Sequence, residues 1–336
     1  MATRSQPDPH PQPTTPSPAY TPAQLTRYFA HIALPSTHQH HSTASLPPAS
    51  ALSLLARLQR HQLAAVPFEN LSLHYSRARR VSLAADDVLD KVLGGPEGDK
   101  VAARRGGYCM ENNTLFGSVL RALGYSVYAV GGRVNEAEER RWSGWAHTVN
   151  LVTIASTTYL VDVGFGPNGP TQPIPLSSTT PSVVGHVAPA QSRVLRKPFY
   201  LHAPSPQYLW AYQHRTTPGD DFKDMYVFDE REYFAEDFAV MNLYTSRAAD
   251  CIFTENVICA KMIMGQEEEG GEGPELAGAK ILKNGDFKVR MGERTVRSRT
   301  CGTEEERVEV LREEFGIELD EEQKEAIKGT VTELKQ

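Results

Sequence analysis

The chain is poor in cysteine. Its 336 residues include four, Cys109, Cys251, Cys259 and Cys301, and no two stand at Cys-x-x-Cys spacing. Structural zinc and redox dithiols use that spacing, so both are disfavoured, and a chain of this size does not read as a disulfide scaffold. There is no apolar run long enough to cross a bilayer, and no apolar segment behind the N-terminus of the kind that opens secreted chains. A basic excess is missing too. The 35 Lys and Arg against 41 Asp and Glu leave a net charge of −6, with no basic stripe interleaved with aromatics, which argues against nucleic acid as a partner. No internal repeat or heptad run is visible. The expectation is a cytoplasmic, reducing setting without a membrane partner, one that suits a working thiol.

The sequence that remains is ordinary globular material, 40% hydrophobic and 23% charged, enough for two or three domains. Residues 1–18 are rich in Pro, Ser and Thr and are expected to be disordered. From 19 to 124 the spacing is helical. Leu25, Tyr28, Phe29 and Ile32 mark one helix, and Leu52, Leu55 and Leu58 a second, from Pro48 to about Gln62. A third is expected from Leu83 to Leu93, capped by Ser82 and ended by Gly94-Gly95. Between the first two lies a polar stretch with His38, His40 and His41. No Cys or carboxylate accompanies them at ligand spacing, so it reads as a solvated loop and no metal is expected.

From 125 to 215 the pattern turns to β-branched and aromatic runs between turn residues: Tyr125–Val134, Thr148–Ile154, Thr158–Val163, Arg193–Leu201 and Tyr208–Gln213. Short strands at this spacing predict an antiparallel sheet or barrel. From 216 to 336 the signals are mixed. They predict a part-helical stretch at Asp229–Ser246, strands at Val257–Met264 and Ala279–Met291, an amphipathic helix at Glu304–Phe315 and a short terminal helix from Asp320 to Lys328. The expected fold class is therefore α+β: an N-terminal helical bundle, a central antiparallel β-barrel and a C-terminal α/β unit.

The stretch from Arg104 to Gly124 carries the chemistry. Gly106 and Gly107 precede a helix with Leu115, Phe116, Val119, Leu120 and Leu123 on one face, and Cys109 stands in its first turn. A thiol there feels the positive end of the helix dipole, which favours thiolate; a buried, inert cysteine is the other reading. A reactive thiol needs a base, and the base an orienting partner. His147, in WSGWAHTVNLV, stands at the mouth of a strand. Asp162 ends the next one, and a hairpin about Ala155-Ser156-Thr157 would bring the two together. A carboxylate in an apolar strand is costly to bury unpaired. Each residue alone has a structural reading, a satisfied strand-end histidine or a turn-capping aspartate, but their order is a joint signal. Glu69 and Arg105 read as a buried structural pair without chemistry.

These segments resemble the arylamine N-acetyltransferases. RRGGYCMENN is similar to that family's nucleophile motif, WAHTVNLV to its histidine segment and YLVDVGFG to its aspartate segment. VPFENL at 66–71, FTENVICAK from 253 and EVLREEFGI add to the likeness, which runs from Tyr20 to the C-terminal helix. The tail, the acidic loop near 267–273 and the stretch 177–195 look like additions to the compact bacterial pattern and suggest a eukaryotic, fungal member. The resemblance implies a papain-like Cys109, His147 and Asp162 under an α/β lid. It implies acetyl-CoA as donor, an acetyl-cysteine intermediate, and arylamines or arylhydrazines as acceptors in xenobiotic detoxification. It also implies Ser143 and Gly144 near CoA, and Phe68 and Phe165 as acceptor walls. A malonyl-CoA-preferring member of the family is one alternative. A cysteine peptidase or transglutaminase-like acyl transferase using the same three residues is another, and a non-catalytic binding module a third.

Overall fold

The computed structural model describes residues 20–95, 104–136, 141–199, 204–266 and 273–335. The Pro-rich segment 1–18 and residues 267–272 of the acidic loop lie outside them. The N-terminal third contains α1 (Pro22–His31), α2 (Pro48–Ala65), the two-residue strand β1 (Phe68–Glu69), α3 (Ala85–Leu93) and α4 (Cys109–Ala122). The apolar stripes read from sequence face one another: Leu25, Phe29, Leu55, Leu58, Val88, Val92, Phe116 and Val119 share one buried core. Ser82 does not cap α3. Ala84 takes the cap position without a side-chain bond. The Ser82 hydroxyl instead donates to Asp87 Oδ2 at 2.6 Å and accepts from Ala84 N at 3.2 Å, and the helix starts two residues later than expected.

The centre is an antiparallel sheet of β2 (Ser126–Glu136), β3 (Arg141–Trp142), β4 (His147–Ile154), β5 (Thr157–Val161), β6 (Ile174–Pro175), β7 (Val183–Gly185), β8 (Gln191–Pro198), β9 (Tyr208–Arg215) and β10 (Lys223–Phe228). Its order is β6-β5-β4-β2-β10-β9-β8-β7, with β3 on β2. The two ends are tied, Gln172 Nε2 donating to Gly185 O at 2.8 Å, so the sheet is a nearly closed barrel. β10 lies beyond the boundary expected at 215, yet it pairs between β2 and β9. Its sequence, KDMYVF, is too short and too polar at its start to stand out from the loops around it.

The last third holds α5 (Ala235–Arg247), α6 (Ile252–Glu255), β11 (Ile258–Met264), β12 (Leu276–Lys283), β13 (Asp286–Met291), β14 (Arg294–Thr300), α7 (Glu304–Val310) and α8 (Glu321–Ala326). The expected strand Ala279–Met291 is two strands folded at Asn284-Gly285, where Asn284 has φ 54° and Lys283 pairs with Asp286. Asn-Gly is the dipeptide such two-residue turns select. β14 was not legible because RTVRSRT is almost wholly exposed, as suits a charged edge strand. α7 runs on through a wider turn, Leu311–Phe315, and Gly316 ends it at φ 72°. β1 joins this sheet rather than the bundle, pairing Phe68 with Ala260 and Glu69 with Cys259. Among the described residues no helix is long and apolar enough to cross a membrane.

Candidate active site

Cys109 is the first residue of α4, where the local chain leaves little choice. Gly106 lies so close to β1 that a Cβ there would sit 1.8 Å from Pro67 O. Glu111 folds back to accept from Tyr108 N at 3.1 Å, and so satisfies an amide the helix leaves open. The opening turn of α4 is unusual in being buried and polar: Cys109, Glu111, Asn112 and Asn113 are all inside. Nothing apolar explains that face; the barrel and a second polar cluster do.

His147 opens β4, and its side chain shares the parity of Val149 and Leu151, which belong to the barrel interior. The imidazole therefore points inward. Asp162 follows β5, with the parity of the inward-facing Leu160. The hairpin register places Val161 opposite Asn150, so Asp162 follows opposite Val149, and His147, two residues further along β4 on the same face, is its diagonal neighbour. Nε2 of His147 lies 2.8 Å from Asp162 Oδ2, and both side chains are almost wholly buried. The Cys109 thiol lies close enough to the imidazole to favour its charged form. The thiol also lies 3.6 Å from Ala146 O. Burial opposes a charge on the ring, but the Asp162 carboxylate, its hydrogen bond and the thiol outweigh it and raise His147 to about 10. Asp162 moves the other way: burial resists ionisation, and His147, Asn113 and an amide lower its pKa.

Asn113, one helical turn after Cys109, was missed in the sequence. Its Nδ2 donates to Asp162 Oδ1 at 2.8 Å and to Thr148 O at 2.7 Å, while its Oδ1 accepts from Val163 N at 3.0 Å. The i, i+4 spacing from the cysteine was the available signal. Gly164 N adds a bond to Asp162 Oδ1 at 2.7 Å. Gly164 must be glycine on contact grounds, because a Cβ would meet Cys109 Cα at 2.6 Å. Tyr226 of β10 is the other omission; its ring lies 4.8 Å from the imidazole.

Phe165 packs edge-on against His147 at 5.2 Å between ring centres, and Phe68 packs against the apolar cluster around Cys109. That cluster also takes in Tyr108, Met110, Trp145, Tyr233, Phe238, Met241 and Phe253. Ser143 pins the turn between β2 and β4: its N donates to Val134 O at 2.9 Å and its hydroxyl accepts from Val134 N at 2.8 Å. Gly144 beside it faces open space. Below the nucleophile turn, Glu69 holds Arg105 Nε at 2.9 Å, and Lys91 Nζ binds Glu111 at 2.7 Å. Burial would raise Glu69, but Arg105 and Lys91 prevail and hold it down at about 2. A cavity of about 560 Å³ opens between the barrel rim and β12–β13, lined by His186, His214, Lys223, Met262 and Arg290 among others, and touches none of the three residues. Among the described residues no group of three or more His, Cys, Asp or Glu could hold a metal ion.

The architecture is that of arylamine N-acetyltransferases of known structure. The enzyme from Mycobacterium abscessus superposes with a TM-score of 0.72 at 24% identity, over 90% of this chain and 93% of that one. The Mycobacterium marinum enzyme in complex with CoA gives 0.68 at 24%, over 90% and 97%. A family profile described as N-acetyltransferase matches residues 51–324. N-malonyltransferase FDB2 of Fusarium pseudograminearum is 34% identical over 330 residues, 91% of this chain and 92% of its own. Arylamine N-acetyltransferase 1 of Homo sapiens is 30% identical over 224 residues, 62% and 70%. The chain belongs to the arylamine N-acetyltransferase family and is an acyltransferase of that family.

Proposed function

We propose that the chain moves a short acyl group from a CoA thioester to an arylamine or arylhydrazine, with Cys109 as the acyl carrier. What supports this is the buried His147–Asp162 pair, 2.8 Å apart, and the Cys109 sulfur 3.6 Å from the carbonyl of Ala146, the residue before His147. Cys109, as thiolate beside the imidazolium, attacks the thioester carbonyl, and first-turn amides of α4 are the donors offered to the oxyanion. The C–S bond to CoA breaks, CoA leaves and the acyl group stays on sulfur. The amine then attacks, its proton passes to His147, and the thiol is restored. Asp162 and Asn113 keep the ring in the required tautomer. Phe68 and Phe165 form the walls for a flat acceptor, and Ser143 and Gly144 lie along the CoA approach. The thiol's setting suits a reducing, cytoplasmic compartment, and clearance of aromatic xenobiotics is the role this chemistry serves.

The sequence reading puts acetyl-CoA first. A second reading, malonyl-CoA, is favoured by the relatives from Fusarium pseudograminearum and Gibberella moniliformis that are named N-malonyltransferases, since they match along 91% and 92% of this chain. One experiment tests all of these. Purified protein mixed with acetyl-CoA or malonyl-CoA should gain the mass of one acyl group on Cys109 and lose it when an arylamine is added. Turnover of a peptide without any adduct would overturn the proposal.

A further inference from the structure

We propose that Arg133 reads a negative charge on the acyl donor and so sets which thioester the enzyme accepts. This rests on the acyl-transfer reading above. Arg133 lies on β2, half-buried, one residue from Gly132, whose carbonyl accepts from Ala146 N at 3.0 Å. Ala146 O in turn is 3.6 Å from the Cys109 sulfur. The guanidinium carbon lies over the Trp145 ring, 4.3 Å from its centre, and Trp145 packs in the apolar cluster that contains Cys109. Arg133 Nη1 donates to Ser143 O at 3.2 Å. Stacking and this bond fix the plane of the group while leaving most of its five N–H donors free.

The other cations close to Cys109 are not available in this way. Arg105 and Lys91 are held by Glu69 and Glu111. Arg133 forms no ion pair among the described residues, although a half-buried guanidinium ordinarily finds a carboxylate. A planar donor fork without an anion among the described residues, beside the apolar cluster that contains Cys109, matches a carboxylate or a phosphate. A malonyl thioester carries a carboxylate two bonds beyond its reacting carbonyl, and CoA carries phosphates; an acetyl group offers neither. The reaction is unchanged in either case. The Cys109 S–C bond forms, the C–S bond to CoA breaks, and the departing CoA sulfur is protonated.

Arg133→Met keeps the stacked aliphatic stem and removes the charge; Arg133→Lys returns a charge without the fork. The rate of single acylation of Cys109 is measured by intact mass for each with malonyl-CoA, acetyl-CoA and malonyl-N-acetylcysteamine, which lacks phosphates. If Arg133 holds the carboxylate, the Met variant loses about 10-fold or more with both malonyl donors, acetyl-CoA is unaffected, and Lys restores part of the loss. If it holds CoA phosphate, both CoA donors fall together and the cysteamine donor does not, which would overturn a role in choosing the acyl group. Unchanged rates with all three donors would overturn the proposal. So would loss of discrimination in Arg290→Met, in the cavity at the barrel rim, rather than in Arg133→Met. Calorimetric binding of malonyl-CoA and acetyl-CoA to Cys109→Ala with and without Arg133→Met reads the same contact without chemistry. Affinities unaffected by Arg133→Met there would sink the Arg133 assignment even if the wild type forms no adduct, and a missing adduct with altered affinity would fault the transfer reading instead.

Discussion

Two clusters of buried charge lie on either side of the opening turn of α4, and they are built differently. In one, Glu69 and Glu111 meet Arg105 and Lys91. Glu69 holds Arg105 firmly charged, and the bonds of this cluster hold the glycine turn. In the other, Asp162 meets His147, a group that titrates, and the free edge of the ring faces a thiol. Burial and pairing are alike in the two; the difference is whether the cation can give up its proton and whether a nucleophile waits beside it.

The comparison breaks most visibly at the thiol. Cys109→Ser should lower acyl transfer on the order of 10⁴-fold or more while its circular dichroism stays that of the wild type; near-normal turnover would leave the second cluster as structural as the first. Next in size is the structural cluster itself. Arg105→Met leaves Glu69 with only the more distant Lys91, 3.5 Å away, and should cost about 3–5 kcal/mol in denaturant unfolding. A variant as stable as the wild type would mean the pair is dispensable.

Asp162→Asn should slow alkylation of Cys109 near neutral pH by about 10²-fold or more, because the ring loses both its orientation and its charge partner. An unchanged rate would deny Asp162 any electronic role. A pH series sharpens the same point. His147 is raised from 6.5 to about 10 in the fold, so its charge stabilises fully below pH 6.5 and that contribution fades as pH climbs through 10. The stability margin of wild type over His147→Gln should therefore narrow from pH 7 to pH 10, and a margin that stays flat would contradict the raised value. Ser143→Ala is the smallest change. Loss of the bond from Val134 N should cost about 1 kcal/mol of stability. A rise in KM for CoA beyond that effect would show donor contact, and no rise would leave Ser143 a turn residue.

The part of the molecule legible in the sequence was the part with local periodicity. The stripe of α4 and the alternation of β4 and β5 placed Cys109, His147 and Asp162 at their elements, and the hairpin turn at Ala155 (φ 53°) brought His147 and Asp162 to one face as diagonal neighbours. Asn113 escaped because its role lies in a bond to a residue 49 positions away. β10 and β14 escaped because a strand's partner, rather than its own pattern, makes it a strand. Ser82 misled because a hydroxyl before a helix has several local partners to choose from, and here it took Asp87.

The two-residue strand β1 has a consequence for biosynthesis. Phe68 and Glu69 bond to the Gly107 turn on one side and to β11, some 190 residues downstream, on the other. During translation the bundle helices emerge early, but the platform beneath the nucleophile turn stays one-sided until the ribosome has delivered β11. Nascent chains arrested before that point should carry a Cys109 more exposed than the 4% it shows in the finished fold.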